Sequence, residues 1–456
     1  MTPIIDFISK VNSAVNGFIW GPVMLTLLIG AGLFLSIRMA FPQFLKFGYA
    51  VKNTIGSIFR KDQHTRDFFS VSPFQAVATA MAGTIGTGSI AGIATAIVAG
   101  GPGAVFWMWI SALLGMVTKY SEIVLSLHFR EKNKNQQWVG GPMYYIRNGL
   151  GLKWLAALFA VFAMIACLGT GNATQANSIS VALESTLGVS PWVTGIILVI
   201  IVAAVILGGM RRISSVNEKL VPFMAVFYVL CALIALILNI DKVPAAFALI
   251  FREAFNFRAA AGGAAGYGIM TAMHYGFARG VFSNEAGLGS APIAHAASSA
   301  KNPVDQGLWG MFEVFFTTII ICTLSALIIL TTGIWDTGTL NGAALSIASF
   351  NAIIPGVGGI IVTLSTIFFA LSTILGWAYY GEVCVQYLFK GKPFAVFLYR
   401  VVYVCIVIVG AVGNLDLIWS ISETMNGFMA IPNLIGILGL SRIITKLTKE
   451  YFQNHK

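Results

Sequence analysis

Glycine and hydroxyl residues alternate within one short stretch of an otherwise apolar segment. Residues 82–92 read AGTIGTGSIAG, so that glycines at 83, 86, 88 and 92 alternate with Thr84, Thr87 and Ser89. Because glycine costs about 1 kcal/mol per residue in a helix interior, this density predicts a break in a helix. Amide groups freed at a break suit a carboxylate, and freed carbonyl groups suit a cation. Close packing of two helices is the alternative interpretation of such small residues.

A second stretch, at 277–290, repeats this combination. It reads FARGVFSNEAGLGS and adds Arg279 to the glycines and hydroxyls. A buried arginine usually has a partner, because an unpaired charge in the middle of a bilayer is expensive. Glu285 is the expected partner, with Glu122 and Glu382 as alternatives, in a gate or a structural ion pair. Contact with a substrate, or a place in a wet vestibule, are the other interpretations of Arg279.

The composition requires a bilayer around these stretches. Of the 456 residues 57% are hydrophobic and 10% are charged, whereas a soluble domain has roughly 25% charged residues. The sequence therefore predicts an all-α integral membrane protein in contact with the lipid bilayer. The net charge of +11 does not indicate a nucleic-acid partner, because the basic residues lie in short loops and not on one soluble face.

Apolar runs bounded by glycine, proline or charged residues predict eleven membrane spans. Residues 1–17 have the spacing of an amphipathic helix at the membrane surface, and 441–456 form a cytoplasmic tail. The spans are expected near 20–40, 72–99, 102–128, 154–184, 191–209, 218–240, 266–297, 304–333, 357–388, 394–413 and 415–440.

The loops between these spans alternate in charge. If the loop after the first span is cytoplasmic, most of the 28 Lys and Arg residues fall on the cytoplasmic side, as the positive-inside rule requires. This distribution predicts a multi-pass protein of the plasma (inner) membrane, with the N-terminus outside and the C-terminus in the cytoplasm.

The two glycine-rich spans are five spans apart. If 20–40 is an extra span, 72–240 and 266–440 form two five-helix repeats, each of which begins with its interrupted helix. Helices five spans apart run in opposite directions, and inverted repeats with interrupted helices are typical of secondary transporters. A channel would be built by symmetric assembly around a pore. The chain is not expected to be an enzyme, because no nucleophile and base pair or metal cluster is apparent, and it has no ATP-binding GxxxxGK[ST] motif.

Five short motifs occur in order along the chain. They are GTGSIAG at 86–92, GGPMYY at 140–145, GTGNATQ at 169–175, NEAGLGS at 284–290 and GW at 376–377. Together they resemble the alanine/glycine:cation symporter family across nearly the whole chain. The resemblance implies the LeuT-like fold of the amino acid, polyamine and organocation superfamily, and alternating-access uptake of a small neutral amino acid with sodium, without a covalent cofactor. The substrate would be alanine or glycine, with D-alanine not distinguished.

The resemblance also implies a set of site residues. The unwound first helix would bind the substrate carboxylate, and the remaining residues would surround the amino group and limit the side chain to the size of alanine. Hydrogen bonding between helices is the alternative role for Gln175, and anchoring at the membrane interface is the alternative for Trp377. The substrate-binding residues are Thr84, Gly86, Thr87, Gly88, Gln175, Phe277, Val281, Thr373 and Trp377. The sodium ligands are carbonyl groups of Ala82 and Ile85 and the hydroxyls of Ser372 and Thr373.

The number and type of coupled ions follow from the residues near the two stretches. Ser89 stands where the family commonly has asparagine, which puts a second ion site in doubt and favours one sodium. Hydroxyls at Ser365 and Thr366 add to the polar face of the ninth span, although such groups often bond to their own helix. His274 and Glu285 flank the second stretch, and the first contains no group that could carry a proton, so sodium is favoured over protons. His274 itself is read as a packed, hydrogen-bonded residue, with a proton relay as the alternative.

Overall fold

The structure is a computed structural model that describes residues 2–58, 71–255, 265–413 and 416–454. It is almost entirely helical, apart from the short antiparallel hairpin of β1 (Glu131–Lys132) and β2 (Trp138–Val139). The helices of the first half are α1 (Thr2–Ile19), α2 (Pro22–Arg38), α3 (Pro42–Leu45), α4 (Phe47–Ile58), α5 (Pro73–Thr84), α6 (Ala91–Gly100), α7 (Ala104–His128), α8 (Pro142–Leu150), α9 (Lys153–Leu168), α10 (Thr174–Leu187), α11 (Pro191–Ile206), α12 (Gly209–Leu238) and α13 (Val243–Ala254).

The second half of the chain is also helical. Its helices are α14 (Ala265–Asn284), α15 (Ala291–His295), α16 (Pro303–Val314), α17 (Thr323–Thr332), α18 (Gly342–Ile353), α19 (Gly358–Leu388), α20 (Pro393–Val412), α21 (Asp416–Gly439) and α22 (Ser441–Asn454). Two π-helical segments join consecutive helices. Gly169–Ala173 joins α9 to α10, and Phe315–Cys322 joins α16 to α17.

Several of these helices are long enough to cross a membrane. Among the described residues, seven helical segments, some made of two consecutive helices, have the required length and apolar composition, and Leu417–Gly439 with Ser441–Asn454, bent by 58°, adds an eighth only if the pair is counted as one span. Other predicted spans correspond to shorter helices, such as Pro191–Ile206 and Ala91–Gly100. The all-α architecture is confirmed, and the count of eleven spans stays a prediction.

The first interruption lies where the sequence predicts it. Helix α5 begins with a capping box, in which the Ser72 hydroxyl accepts from the Gln75 amide and the Gln75 side chain accepts from the Ser72 amide. It ends at Thr84, and a 3₁₀ turn at Thr87–Ser89 separates it from α6. Gly86 is extended there, with φ −110° and ψ −163°.

The second interruption lies later than the beginning of its glycine-rich stretch. Helix α14 runs unbroken through residues 277 and 281 and ends at Asn284. The chain is then irregular until α15, with positive φ values at Glu285, Gly287 and Gly289. Glycine adopts such values without steric cost, so the break falls at the glycines and not beside Arg279.

The terminal helices pack on the bundle. In α1 the Asn12 amide donates to the Ser420 hydroxyl at 2.6 Å, which fixes α1 against α21. The predicted tail at 441–456 contains α22, whose Thr448 hydroxyl lies 2.8 Å from the hydroxyl of Tyr120 on α7. The interrupted helices lie inside, where α5 contacts α12, α15 and α19, and α14 contacts α6 and α7.

Candidate substrate and ion site

The first break brings α19 into contact with the end of α5. The Thr373 hydroxyl donates to the Ala82 carbonyl at 2.9 Å, and the Ser372 hydroxyl lies 3.4 Å from the same oxygen. Both hydroxyls also donate to the Phe369 carbonyl of their own helix. Three oxygens of the predicted sodium ligands therefore converge, and oxygen ligands are those that hard cations take. Ile85, the fourth predicted ligand, is the first residue after α5.

Two glycines allow other helices to approach this break closely. A Cβ atom on Gly86 would lie 2.8 Å from the Thr373 hydroxyl, and one on Gly88 would lie 2.9 Å from the Phe282 ring. Real Cβ atoms essentially never come so close to a neighbour. Glycine is therefore required at both positions by the packing of α19 and α14 against the unwound chain.

A small cavity adjoins the break. Its volume is about 20 Å³, which holds roughly one water molecule, so an amino acid requires lining side chains to move. The cavity is lined by Gly83, Thr84, Gly86, Gly88, Thr170, Gln175, Phe282, Glu285, Leu288, Thr373, Trp377 and Asn426.

Gln175 closes one side of this cavity. Its side-chain oxygen accepts from the Thr87 hydroxyl at 3.1 Å and lies 3.4 Å from the Thr87 amide nitrogen. Its amide nitrogen donates to the Thr170 carbonyl at 3.1 Å. The Asn426 amide donates to the Thr170 hydroxyl at 2.9 Å, but the Asn426 side-chain oxygen has no hydrogen-bond partner among the described residues. That oxygen is an acceptor available to a ligand with N–H groups.

Trp377 and Glu285 close the opposite side. The Trp377 indole donates to a Glu285 carboxylate oxygen at 3.0 Å and lies 3.3 Å from the Gly83 carbonyl. The Ser290 hydroxyl donates to the other Glu285 oxygen. A side chain at Gly171 would collide with the Trp377 indole, so the π-helical segment allows the ring to lie in the bundle. Trp377 is 2% exposed, which does not fit an interfacial anchor.

Most of the predicted substrate-binding residues meet at this cavity. Thr84, Gly86, Gly88, Gln175, Thr373 and Trp377 line it, and Thr87 contacts it through Gln175.

Phe277 and Val281 do not line the cavity. The Phe277 ring packs against Trp107, with 6.3 Å between centroids, and Phe282 contributes the aromatic side chain instead. Because α14 is unbroken here, positions 277 and 281 share one face, and position 282 is rotated by about 100° from 281. The resemblance implied these two residues, and the unbroken helix presents Phe282 to the cavity in their place.

Several residues that line the cavity were not predicted from the sequence. Phe282, Leu288 and Asn426 were not among the candidates, and Glu285 was considered only as a partner of Arg279. Asn426 carried a usable signal, because an amide within an apolar span is costly unless it is paired or functional. Leu288 carried none, since the path of the irregular segment decides where it lies.

Comparison with known proteins identifies the family. The family model described as the sodium:alanine symporter family matches residues 5–456. The chain belongs to this family. The symporter is 48% identical to the sodium/alanine symporter AgcS of Methanococcus maripaludis, over 99% of this chain and 98% of that protein. It is 36% identical to the probable sodium/glutamine symporter GlnT of Bacillus subtilis, over 97% of this chain and 90% of the relative.

Solved structures agree on the fold. A sodium-coupled sialic acid symporter aligns with a TM-score of 0.51 at 12% identity, over 94% of this chain and 86% of that chain. A manganese transporter of Eremococcus coleocola aligns with a TM-score of 0.53 at 14% identity, over 85% and 80%. Because the family model describes sodium:alanine symporters and the relatives are named as symporters, the protein is a multi-pass plasma-membrane symporter that couples sodium to an amino acid, and it is not an enzyme.

A second cavity of about 210 Å³ adjoins the first in the symporter. Phe282 and Asn426 line both cavities and separate them. Next to Phe282, Arg279 pairs with Glu423 of α21 at 3.3 Å. The guanidinium carbon of Arg279 lies 5.6 Å from the Phe282 ring centroid. His274 also lines this cavity, and its Nε2 atom lies 3.1 Å from the Trp20 carbonyl oxygen.

The prediction that Glu285 is the partner of Arg279 is therefore wrong. Glu285 bonds to Trp377 and Ser290, and of the two alternatives Glu122 bonds to Asn433 while Glu382 pairs with Arg400. The unbroken α14 separates Arg279 from Glu285 by six residues of chain, so the two groups cannot meet across an unwound turn. An ion pair remains, but it joins α14 to α21.

Proposed function

We propose that the symporter couples sodium entry to the uptake of alanine or glycine by alternating access. Thr373 supports this proposal most directly, because its hydroxyl bonds to the Ala82 carbonyl and its side chain also lines the cavity. An ion beside Ala82 and a substrate in the cavity would share this residue. Binding of one would then order the site for the other, which is the requirement for coupled transport.

The substrate carboxylate would bind at the first break. Thr87 and Gly88 begin the 3₁₀ turn, and amides at the start of a helical turn have no partner within it. Within the part of the chain that the structure describes, the Thr87 amide meets only the Gln175 oxygen, at 3.4 Å. A carboxylate is a stronger acceptor than that amide oxygen, so it would displace Gln175 from Thr87.

The substrate ammonium group would bind to two acceptors that line the cavity. Glu285 offers a carboxylate, and Asn426 offers an oxygen that has no partner. Charge-assisted bonds to these acceptors would be stronger than neutral ones. The zwitterion would thus lie between the amides of the first break and the acidic group of the second.

Side-chain size would be limited by two aromatic rings. Phe282 and Trp377 both line the cavity, whose volume is about 20 Å³. Since an amino acid enters only if lining side chains move, a small side chain requires the least displacement of these rings. Glycine and alanine therefore fit this cavity better than glutamine, the substrate named for one relative.

One sodium ion would bind at Ala82, Ile85, Ser372 and Thr373. The hydroxyls that now donate to Ala82 and Phe369 would turn their lone pairs to the ion. The charge of the loops favours an external N-terminus and a cytoplasmic C-terminus, so the second cavity, beside Arg279, would be the outer entrance.

Uptake into proteoliposomes tests the proposal. Labelled alanine or glycine should accumulate only with an inward sodium gradient, and a sodium ionophore should abolish accumulation. A passive ionic conductance without accumulation would contradict the symport, and equal accumulation of glutamine would contradict the proposed substrate.

A further inference from the structure

Lys119, in the middle of α7, is a buried cation that the proposed transport cycle does not use. Its side chain is 0% exposed, as is that of Glu313 on α16. The ammonium nitrogen lies 2.8 Å from the Asn284 carbonyl oxygen and 3.3 Å from a Glu313 carboxylate oxygen. A buried ammonium group needs compensating partners, because removing its charge from water costs several kcal/mol.

Both contacts lead to the interrupted helices. Asn284 is the last residue of α14, so its carbonyl faces the second break. The Glu313 oxygen that pairs with Lys119 also accepts from the Thr84 hydroxyl at 2.9 Å, and Thr84 is the last residue of α5. The ammonium group therefore lies between the C-terminal ends of both broken helices, where partial negative charge attracts cations.

We propose that the Lys119 ammonium group is a tethered cation that occupies a second sodium position between the two breaks. The inference rests on the proposed sodium-coupled function and explains why one sodium would suffice. A carboxylate, a backbone carbonyl and a hydroxyl, from Glu313, Asn284 and Thr84, are oxygen ligands of the kind that hard cations take.

The neighbouring carboxylates bond to groups other than Lys119, although among the described residues the second oxygen of Glu122 has no hydrogen-bond partner. Glu122 accepts from the Gly287 amide at 2.9 Å and from the Asn433 amide at 2.6 Å. Glu285 accepts from Trp377 and Ser290.

The rest of the Glu313 carboxylate is also engaged. Its second oxygen lies 3.2 Å from the His295 Nε2 atom, and His295 Nδ1 lies 2.9 Å from the Gln306 amide nitrogen. The oxygen toward Lys119 is thus the one that a cation would reach if the ammonium group were removed.

The decisive variant is Lys119→Met, which removes the tethered charge and keeps the carboxylate. The purified variant should bind about two sodium ions instead of about one, measured with labelled sodium. In proteoliposomes its Hill coefficient for sodium should rise from about one toward two, the limit set by the number of sites. Its folded yield should require sodium during purification, with choline as the comparison.

Two further variants control this experiment. Lys119→Met combined with Glu313→Gln removes both charges and should return sodium binding to about one ion. Lys446→Met removes an exposed lysine that lies 3.8 Å from Glu450 on α22, and should leave sodium binding unchanged.

The outcomes separate this inference from the proposed function. A Lys119→Met protein that folds and binds only one sodium ion overturns the proposal of a tethered cation. A Lys119→Met protein whose folded yield falls equally in sodium and in choline also overturns it, because the ion pair is then purely structural. A wild-type protein without sodium-dependent uptake overturns the proposed function itself.

Discussion

Trp377 and Glu285 join the ninth predicted span to the second break, with 3.0 Å between the indole nitrogen and a carboxylate oxygen. Both residues line the cavity beside the first break. An acidic group and an aromatic ring thus meet where the proposed substrate has its ammonium group and its side chain. Four predictions follow from this arrangement and its surroundings.

Glu285→Gln should weaken the binding of alanine. The variant keeps the shape and a hydrogen-bond acceptor but loses the charge that would pair with the ammonium group. Because a hydrogen bond to a charged group contributes about 1.5 to 3 kcal/mol, the KM for alanine uptake should rise roughly tenfold or more. Asp241→Asn, at an exposed position, is the control. An unchanged KM would show that Glu285 does not contact the substrate.

Trp377→Ala should widen the range of substrates. Removing the indole makes space for larger side chains, and burying a leucine side chain contributes about 1.5 to 3 kcal/mol. Leucine uptake relative to alanine should therefore increase roughly tenfold or more in competition assays. Trp192→Ala removes a tryptophan that is 60% exposed and should leave selectivity as it is. A variant with the original selectivity would remove Trp377 from the substrate site.

Thr373→Ala should raise the sodium concentration that gives half-maximal uptake. The variant loses the hydroxyl that bonds to Ala82 and would bind the ion. A contact with a charged group contributes about 1.5 kcal/mol, so the shift should be roughly tenfold. Thr373→Ser keeps the hydroxyl and should restore most of the sodium affinity. If both variants respond to sodium as the wild type does, Thr373 is not an ion ligand.

Separating Arg279 from Glu423 should have a small effect. Their side chains are 23% and 28% exposed, and partly solvated ion pairs contribute roughly 0 to 1 kcal/mol. Glu423→Gln should change the uptake rate by no more than about fivefold, and the exchange of the two residues in Arg279→Glu with Glu423→Arg should recover part of the loss. Complete loss of uptake in Glu423→Gln would indicate a role beyond that of a partly solvated ion pair.

The sequence was informative where backbone chemistry decides the structure. Four glycines among hydroxyls predicted the break after Thr84, and the order of motifs predicted the family and the LeuT-like fold. Positions near this break, such as Gly86 and Gln175, line the cavity beside it, and their role in substrate binding stays a prediction.

The sequence was less informative where one helical turn decides the contact. Phe277 and Phe282 are both aromatic residues of the same helix, and only the position of the break at 285–290 shows which of them faces the cavity. The partners of Arg279 and Lys119 lie 144 and 194 residues away along the chain. Such pairings depend on how the helices pack, and no local pattern reveals them.

An experimental map of the protein with alanine and sodium tests the central claim most directly. The account predicts alanine at the first break, with its carboxylate within hydrogen-bond distance of the Thr87 or Gly88 amide, and an ion beside the Ala82 carbonyl. A continuous helix through residues 83–88, with the ligand bound elsewhere, would contradict it.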